Sequence, residues 1–115
     1  MDPAVSLKLN SDFRRVYARG KSAVSPCAVV YCRKNRLDRN RTGYTLSKKL
    51  GTAVVRNRVR RRLREIVRLN SPRLQTGWDI VIVARRRCVG ADYRKMDAAF
   101  LRACGELGLL KEAEA

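Results

Sequence analysis

The chain has 115 residues, of which 27 are Lys or Arg and 10 are Asp or Glu, so its formal net charge is +17. This length predicts one domain with one core, and a hydrophobic content of 45% argues against disorder. No apolar run reaches the length of a membrane span, and the N-terminus lacks the apolar segment of a signal peptide, so we expect a cytoplasmic protein without a membrane partner. Such a charge favours a polyanion, most commonly nucleic acid.

The positive charge is concentrated in one stretch of the chain. Between Arg14 and Arg68 there are 18 basic residues and only two acidic ones. Twenty of the 27 basic residues are Arg, which forms forked hydrogen bonds to phosphates and stacks on bases. A GC-rich genome would also raise the Arg content. The concentration itself indicates a binding surface rather than general solubilising charge.

The first helix follows a short N-terminal arm. Residues 1–9 and 110–115 are expected to be loose ends of the domain. Asn10 or Ser11 can cap the helix at its start, and Gly20 is expected to end it.

Strand composition appears twice after this helix. We predict strands over 27–32 and 42–47, separated by a basic loop at 33–41. The first of these strands is apolar at both alternating sets of positions. It therefore belongs to a sheet that is covered on both sides, or covered on one side and ligand-facing on the other.

The second half of the chain predicts a helix, a strand and a helix. The first helix runs from about Ala53 to Leu69, and 78–84 is the most strand-like segment and is expected to be central. A basic loop at 85–87 follows, and Asp92 can cap the last helix. The core positions of that helix are predicted to be Met96, Phe100, Ala103, Cys104 and Leu107. This order of elements predicts an α+β fold.

The helix over 53–69 separates apolar from basic residues. At 100° per residue, one face carries the apolar residues Val55, Val59, Leu63, Ile66 and Val67. The opposite face carries Asn57, Arg61, Arg64 and Arg68. Arg56 and Arg60 flank one edge, and Arg58 and Arg62 flank the other. Many of these arginines are like-charge neighbours at spacings of three or four residues, which destabilises a free helix. A bound polyanion would compensate, so we interpret this face as a nucleic-acid surface rather than a solvated one.

A second candidate surface combines aromatic and basic residues. Phe13 and Tyr17 lie one helical turn apart, and Arg14 and other basic residues adjoin them. Tyr31, on the first predicted strand, can pack nearby. Such groups can stack unpaired bases while holding phosphates. Phe13 can equally be a core residue, whereas the polar tips of Tyr17 and Tyr31 favour a partly exposed site.

The sequence offers little for catalysis by the protein itself. It contains no His, and its carboxylates are scattered singly, so we expect no catalytic residue and no metal site in the protein. Cys27, Cys32, Cys88 and Cys104 lack the spacing of zinc ligands and are interpreted as mostly buried thiols.

The segment Ser47–Glu65, SKKLGTAVVRNRVRRRLRE, closely resembles the signature of the bacterial ribonuclease P protein family. Further matching segments are NSDF at 10–13, VY at 16–17 and WDIVIVAR at 78–85. The resemblance covers about residues 7–108 and therefore essentially the whole chain, interpreted as one domain over 1–115. Two departures are Tyr17, where the family often has Phe, and Arg62, where many relatives have an apolar residue.

The resemblance implies a function and its partners. The protein would bind a large catalytic RNA, and the pair would remove the 5′ leader from precursor tRNA. The RNA, with magnesium ions bound mainly by it, would perform the hydrolysis, with no obligate protein partner and no DNA. The residues implied for the catalytic RNA are Lys48, Lys49, Arg56, Asn57, Arg58, Arg60, Arg61, Arg64 and Arg68. Those implied for a cleft that takes the leader are Phe13, Arg14, Tyr17 and Tyr31.

The resemblance also implies the topology. The family has a four-stranded mixed sheet and three helices in the order α-β-β-β-α-β-α, similar to domain 2 of ribosomal protein S5. It contains a left-handed β-α-β crossover, against the general rule. From the residues alone, a structural RNA-binding protein of the ribosome is the main alternative. A recognition helix in the DNA major groove and a protein-only nuclease are further alternatives.

Overall fold

Residues 5–111 are described by a computed structural model of the chain. The elements in chain order are β1 (Val5–Ser6), α1 (Asn10–Arg19), β2 (Lys21–Val24), β3 (Ala28–Lys34), β4 (Arg41–Thr45), α2 (Ala53–Asn70), β5 (Trp78–Ala84) and α3 (Tyr93–Glu106). Single 3-10 turns lie at Lys48–Leu50, Ser71–Arg73 and Arg86–Cys88. From α1 onward this is the predicted order, so the α+β fold is confirmed.

The four predicted strands, β2 to β5, and the two-residue β1, which was not predicted, form one five-stranded mixed sheet in the order β1-β4-β5-β3-β2. β5 runs parallel to β4 and antiparallel to β3, and it lies at the centre as predicted. Its position follows from its composition, because Ile80, Val81 and Ile82 are all fully buried and need cover on both faces. The β4-α2-β5 segment is a parallel β-α-β unit. Its left-handedness stays a prediction from the resemblance.

The two faces of the sheet are covered unequally. Ile80 and Ile82 join the main core together with Val59 and other residues of α2 and α3. Val81 points the other way and packs against Val16 of α1 in a smaller cluster. A single ten-residue helix covers only part of this second face. The face is therefore partly covered and partly open, between the two arrangements that the sequence predicted.

Several predicted boundaries are corrected. The basic loop is shorter than 33–41, because Arg33 and Arg41 belong to β3 and β4, where both are in register with Asp79 of β5. β4 ends at Thr45 rather than at Ser47. β2 has only four residues, and three of them are exposed. Residue patterns did not identify it, and only the strand number implied by the resemblance required it.

The expected loose ends are also corrected within the described residues. Val5 and Ser6 pair with the start of β4, and Leu7 is buried in the smaller cluster. At the other end, Leu110 forms a bridge to Leu74. Backbone pairing and the packing of Leu7 at one end and of Leu109 and Leu110 at the other thus attach both ends to the domain. Residues 1–4 and 112–115 lie outside the described residues.

The helix ends follow local rules with two exceptions. Asp92 caps α3, since its Oδ1 accepts a hydrogen bond from the backbone N–H of Lys95 at 2.8 Å, and the predicted core positions of α3 are buried except for Leu107, which is half-buried. α1 is preceded by Leu9 and lacks the predicted side-chain cap. Gly20 ends α1 with an ordinary φ of −84°. A Cβ at this position would lie 2.5 Å from the carbonyl oxygens of Val16 and Cys32, so close approach rather than backbone freedom requires glycine.

The four cysteines are free and buried, as predicted. Burial raises the pKa of the Cys88 thiol to about 11 and that of Cys104 to about 12.

Within residues 5–111, no helix is long and apolar enough to cross a membrane.

We expect these thiols to react slowly in the folded protein. At pH 8, a pKa of about 11 leaves Cys88 about 100-fold less thiolate than an ordinary cysteine, and burial also blocks access. The native protein and the guanidinium-unfolded protein are treated with iodoacetamide, and mass spectrometry counts the alkylated cysteines in each. Rapid native labelling of Cys88 or Cys104 would contradict this packing, and unfolded protein labelled at all four sites is the control.

Candidate nucleic-acid interface

The α2 helix separates its faces as predicted. Thr52 caps it by accepting a hydrogen bond from the backbone N–H of Val55 at 3.3 Å. The buried residues of the predicted apolar face are Val59, Leu63, Ile66 and Val67. Val55 of that face is only half-buried because it lies in the first turn. Every residue of the opposite face, Asn57, Arg61, Arg64 and Arg68, is exposed.

The charge on the exposed face is largely uncompensated. Arg68 forms a forked hydrogen bond with Glu65 at 2.6 and 3.1 Å, which lowers the pKa of that carboxyl. Arg60 donates a hydrogen bond to the Asn57 side chain at 3.2 Å. Within residues 5–111, Arg61 and Arg64 form no ion pair. Part of α2 therefore keeps free guanidinium groups suited to phosphate.

A groove lies between α2 and the β1–β4 edge of the sheet. Its volume is about 460 Å³. The sheet contributes the side chains of Ser6, Thr42 and Tyr44, and the helix contributes those of Asn57, Arg60, Arg61, Arg64, Glu65 and Arg68. Four of the predicted arginines thus converge on one concave surface, together with the predicted asparagine.

The remaining residues predicted to bind the catalytic RNA do not line this groove. Lys48 and Lys49 are exposed on the 3-10 turn that precedes α2. Arg56 is half-buried, and its Nε has no hydrogen-bond partner within residues 5–111. Arg58 lies on the other side of α2, in a shallow depression shared with Arg62. Arg62 donates a long hydrogen bond of 3.4 Å to the Ala91 carbonyl before α3.

The predicted aromatic site lies on the opposite face of the sheet. The rings of Tyr17 and Tyr31 meet edge to face, with centroids 4.9 Å apart and planes at 81°. The hydroxyl of Tyr17 forms a hydrogen bond of 2.6 Å with that of Thr45, which fixes the ring over the sheet. Tyr17 is 38% exposed, so the tyrosine pair offers an accessible aromatic surface beside α1.

Phe13 is held mainly by packing. It is half-buried in the cluster of Leu7, Val16 and Val81. A Cβ on Gly43 would lie 2.5 Å from the Phe13 ring, which shows that the ring lies directly on the β4 backbone. Of the two interpretations of Phe13, the geometry favours a core residue that supports the cleft.

Arg14 is not brought to the tyrosine pair. It lines a separate open surface formed by α1 and β3, together with Ser11, Arg15, Arg19 and Arg33.

Beneath α1 lies a buried ion pair. Asp79, which is 3% exposed, accepts hydrogen bonds from Arg41 at 2.7 and 2.8 Å and from Asn35 at 2.9 Å. The hydrogen bonds that Arg41 donates to Asp79 raise the pKa of Arg41. Arg41 also approaches Asp12 of α1 at 3.7 Å. The pair ties β4, β5 and α1 together.

Sequence reasoning missed three β4 residues of these surfaces. Tyr44, Thr42 and Thr45 lie on β4, where alternation indicated a strand but not its neighbours. Which surface each side chain joins depends on the place of β4 in the sheet, where α2 lies on one face and α1 on the other.

Within residues 5–111, the structure contains no group of three or more Cys, His, Asp or Glu side chains that could hold a metal ion.

A basic helix over one sheet face and an aromatic cleft on the other define a small nucleic-acid-binding protein of the α+β class. The sequence model of the family described as Ribonuclease P matches residues 1–108. The chain belongs to the ribonuclease P protein family, whose members are components of an endoribonuclease.

Individual relatives agree in sequence and in structure. The ribonuclease P protein component of Alkaliphilus oremlandii is 40% identical over 107 residues, which cover 93% of this chain and 94% of that protein. The Staphylococcus aureus RNase P protein superposes with a TM-score of 0.84 at 29% identity, covering 92% of this chain and 97% of that one. The Thermotoga maritima RNase P protein gives 0.78 at 33% identity, covering 84% and 92%.

Proposed function

We propose that this protein binds the catalytic RNA of ribonuclease P through α2 and the 5′ leader of precursor tRNA through the tyrosine cleft. The holoenzyme would act in the cytoplasm and release mature tRNA 5′ ends. One observation carries this proposal beyond family membership: the exposed arginines of α2 and the Tyr17–Tyr31 pair lie on opposite faces of one sheet. Two RNA segments can therefore bind at once without competing.

The character of each surface supports its assigned ligand. α2 presents guanidinium groups along a rigid helix, which suits the irregular backbone of a folded RNA. The tyrosine cleft presents aromatic rings beside an open sheet face, which suits unpaired bases. A leader is single-stranded where it leaves the tRNA, so it fits the second surface and not the first.

We assign hydrolysis to the RNA. The carboxylates of Asp12 in α1 and Asp79 in β5 are both engaged by Arg41 and are thus committed to the fold. Magnesium ions bound mainly by the RNA would supply the metal-activated water for hydrolysis. The protein's own groups bind and orient the two RNAs.

Reconstitution tests this function. The protein is added to a bacterial ribonuclease P RNA at low magnesium, and cleavage of a precursor tRNA is timed. We expect a clear gain in rate over the RNA alone, because the protein's cations replace part of the magnesium that screens RNA phosphates. Equal rates with and without the protein would contradict the proposal.

Tyr31→Ala is expected to weaken precursor binding selectively. Loss of one stacked base costs about 1–3 kcal/mol, so precursor affinity should fall about 5- to 150-fold while mature tRNA affinity is unchanged. Filter binding of both RNAs to the reconstituted holoenzyme measures the two affinities. Tyr31→Phe is the control, since it keeps the ring and should bind both RNAs normally. Equal losses on precursor and mature tRNA would reject the leader role.

A further inference from the structure

The groove under α2 contains an aromatic residue that phosphate binding does not require. Tyr44 lines this groove opposite Arg60, Arg61 and Arg64. It is half-buried, and its inner part packs against the main core, so the ring is held in place. A surface that only neutralised RNA phosphates would need the arginines alone.

The remaining lining supplies hydrogen-bonding groups near the ring. Asn57 carries an amide able to donate and accept, and it is positioned by its hydrogen bond from Arg60. Glu65 carries a carboxylate held by Arg68. Amides and carboxylates are the groups that read base edges.

The groove also has a suitable size. Its volume of about 460 Å³ falls within the range of small-ligand sites, which runs from roughly 300 to 1,000 Å³. It is large enough for one nucleotide and too small for a duplex. The stem of a folded RNA would rest on the outer arginines and leave the groove to a base that projects from it.

We propose that this groove binds a single unpaired nucleotide of the catalytic RNA, with the base against Tyr44 and its phosphates on Arg60, Arg61 and Arg64. Asn57 and Glu65 face the base edge. The identity of the occupant rests on the proposed function, whereas the affinity of the groove for a nucleotide does not. Tyr44 of β4 thus becomes a binding residue of a groove that is otherwise defined by the arginines of α2.

Nuclear magnetic resonance of the free protein tests the groove itself. AMP is titrated at millimolar concentration, and inorganic phosphate is titrated in parallel. We expect AMP to shift the resonances of Tyr44 and Thr42 as well as those of α2, and phosphate to shift only α2. If AMP leaves Tyr44 and Thr42 unmoved while α2 responds, the groove takes only phosphate and the proposal is overturned.

Assembly with the catalytic RNA tests the occupant. Tyr44→Leu should lower affinity about tenfold without changing the slope of log affinity against log salt, because stacking releases no counterions. Tyr44→Phe should bind normally. Tyr93→Leu, which alters an exposed tyrosine outside the groove, is the control and should also bind normally.

The two experiments fail in different ways. Full affinity of Tyr44→Leu for the catalytic RNA would overturn the assigned occupant, even if AMP binds. Failure of the unaltered protein to bind the catalytic RNA would overturn the proposed function and leave the AMP result to decide the groove. A circular dichroism melt of each variant shows whether a lost affinity comes from unfolding, in which case the AMP titration of the unaltered protein alone decides.

Discussion

Replacing Arg60, Arg61 and Arg64 together by Ala is expected to reduce affinity for the catalytic RNA by about 100- to 1,000-fold. These arginines line one groove, and neither Arg61 nor Arg64 has an ion pair within residues 5–111. Because water competes for these exposed groups, each arginine's hydrogen bond to phosphate contributes about 1–1.4 kcal/mol, close to the value of an ordinary hydrogen bond. Each lost phosphate contact also removes a released counterion. The slope of log affinity against log salt should therefore become shallower by about 2–3.

A second triple variant controls for net charge. Arg73, Arg94 and Arg102 are exposed on other parts of the surface, and their replacement by Ala removes the same formal charge. We expect this control to change affinity by less than tenfold, through the general field alone. Titrations of labelled RNA over a range of potassium chloride concentrations give both quantities. Equal effects of the two triple variants would show that net charge, and not the α2 face, binds the RNA.

Asp79→Ala is expected to lower the free energy of unfolding by about 2–4 kcal/mol. Asp79 is buried and accepts three hydrogen bonds, from Arg41 and Asn35. Its removal leaves the Arg41 guanidinium without its main partner. The loss falls below that of a fully buried pair because the Arg41 side chain is 25% exposed and water can reach it.

Urea unfolding followed by circular dichroism measures this loss. Asp79→Asn keeps the shape and part of the hydrogen bonding, so its loss should be intermediate. Asp38→Ala is the matched control, since Asp38 is an exposed acid in the loop between β3 and β4, and it should change stability by about 0.5 kcal/mol or less. A loss below about 1 kcal/mol for Asp79→Ala would mean that the ion pair contributes little to the fold.

The α2 helix shows what the sequence could predict. Its apolar residues recur with the period of a helix. If the opposite side of α2 packed against the sheet, Leu63 or Ile66 would be exposed, so the local pattern alone determines which side is buried. The same holds for β5, whose uninterrupted apolar run leaves it no position but the centre of the sheet. Leu7 was placed in a loose arm because its burial depends on Val5–Ser6 pairing with a strand far along the chain.

The surfaces were harder to predict than the elements. The interpretation of Phe13 stayed open until the structure placed its ring on Gly43, a contact between positions thirty residues apart. Tyr44 was recognised as a strand residue, but its place in the α2 groove depends on which strand neighbours which helix. Arg14 is a suitable residue type for the cleft, yet it lines a separate surface formed by α1 and β3. The angle of a side chain around the helix, and not its distance in sequence from Tyr17, determines where it points.

Side-chain footprinting with mass spectrometry tests most directly the claim that two separate surfaces bind two RNAs. Arginines are modified with a dicarbonyl reagent and tyrosines with hydroxyl radicals, in the free protein and in its complexes. The catalytic RNA alone should protect Arg61 and Arg64 and leave Tyr17 reactive. A precursor tRNA with its leader should then protect Tyr17, and mature tRNA should not. Protection of Tyr17 by the catalytic RNA alone, or of Arg61 and Arg64 only when precursor is added, would contradict this assignment of the two faces.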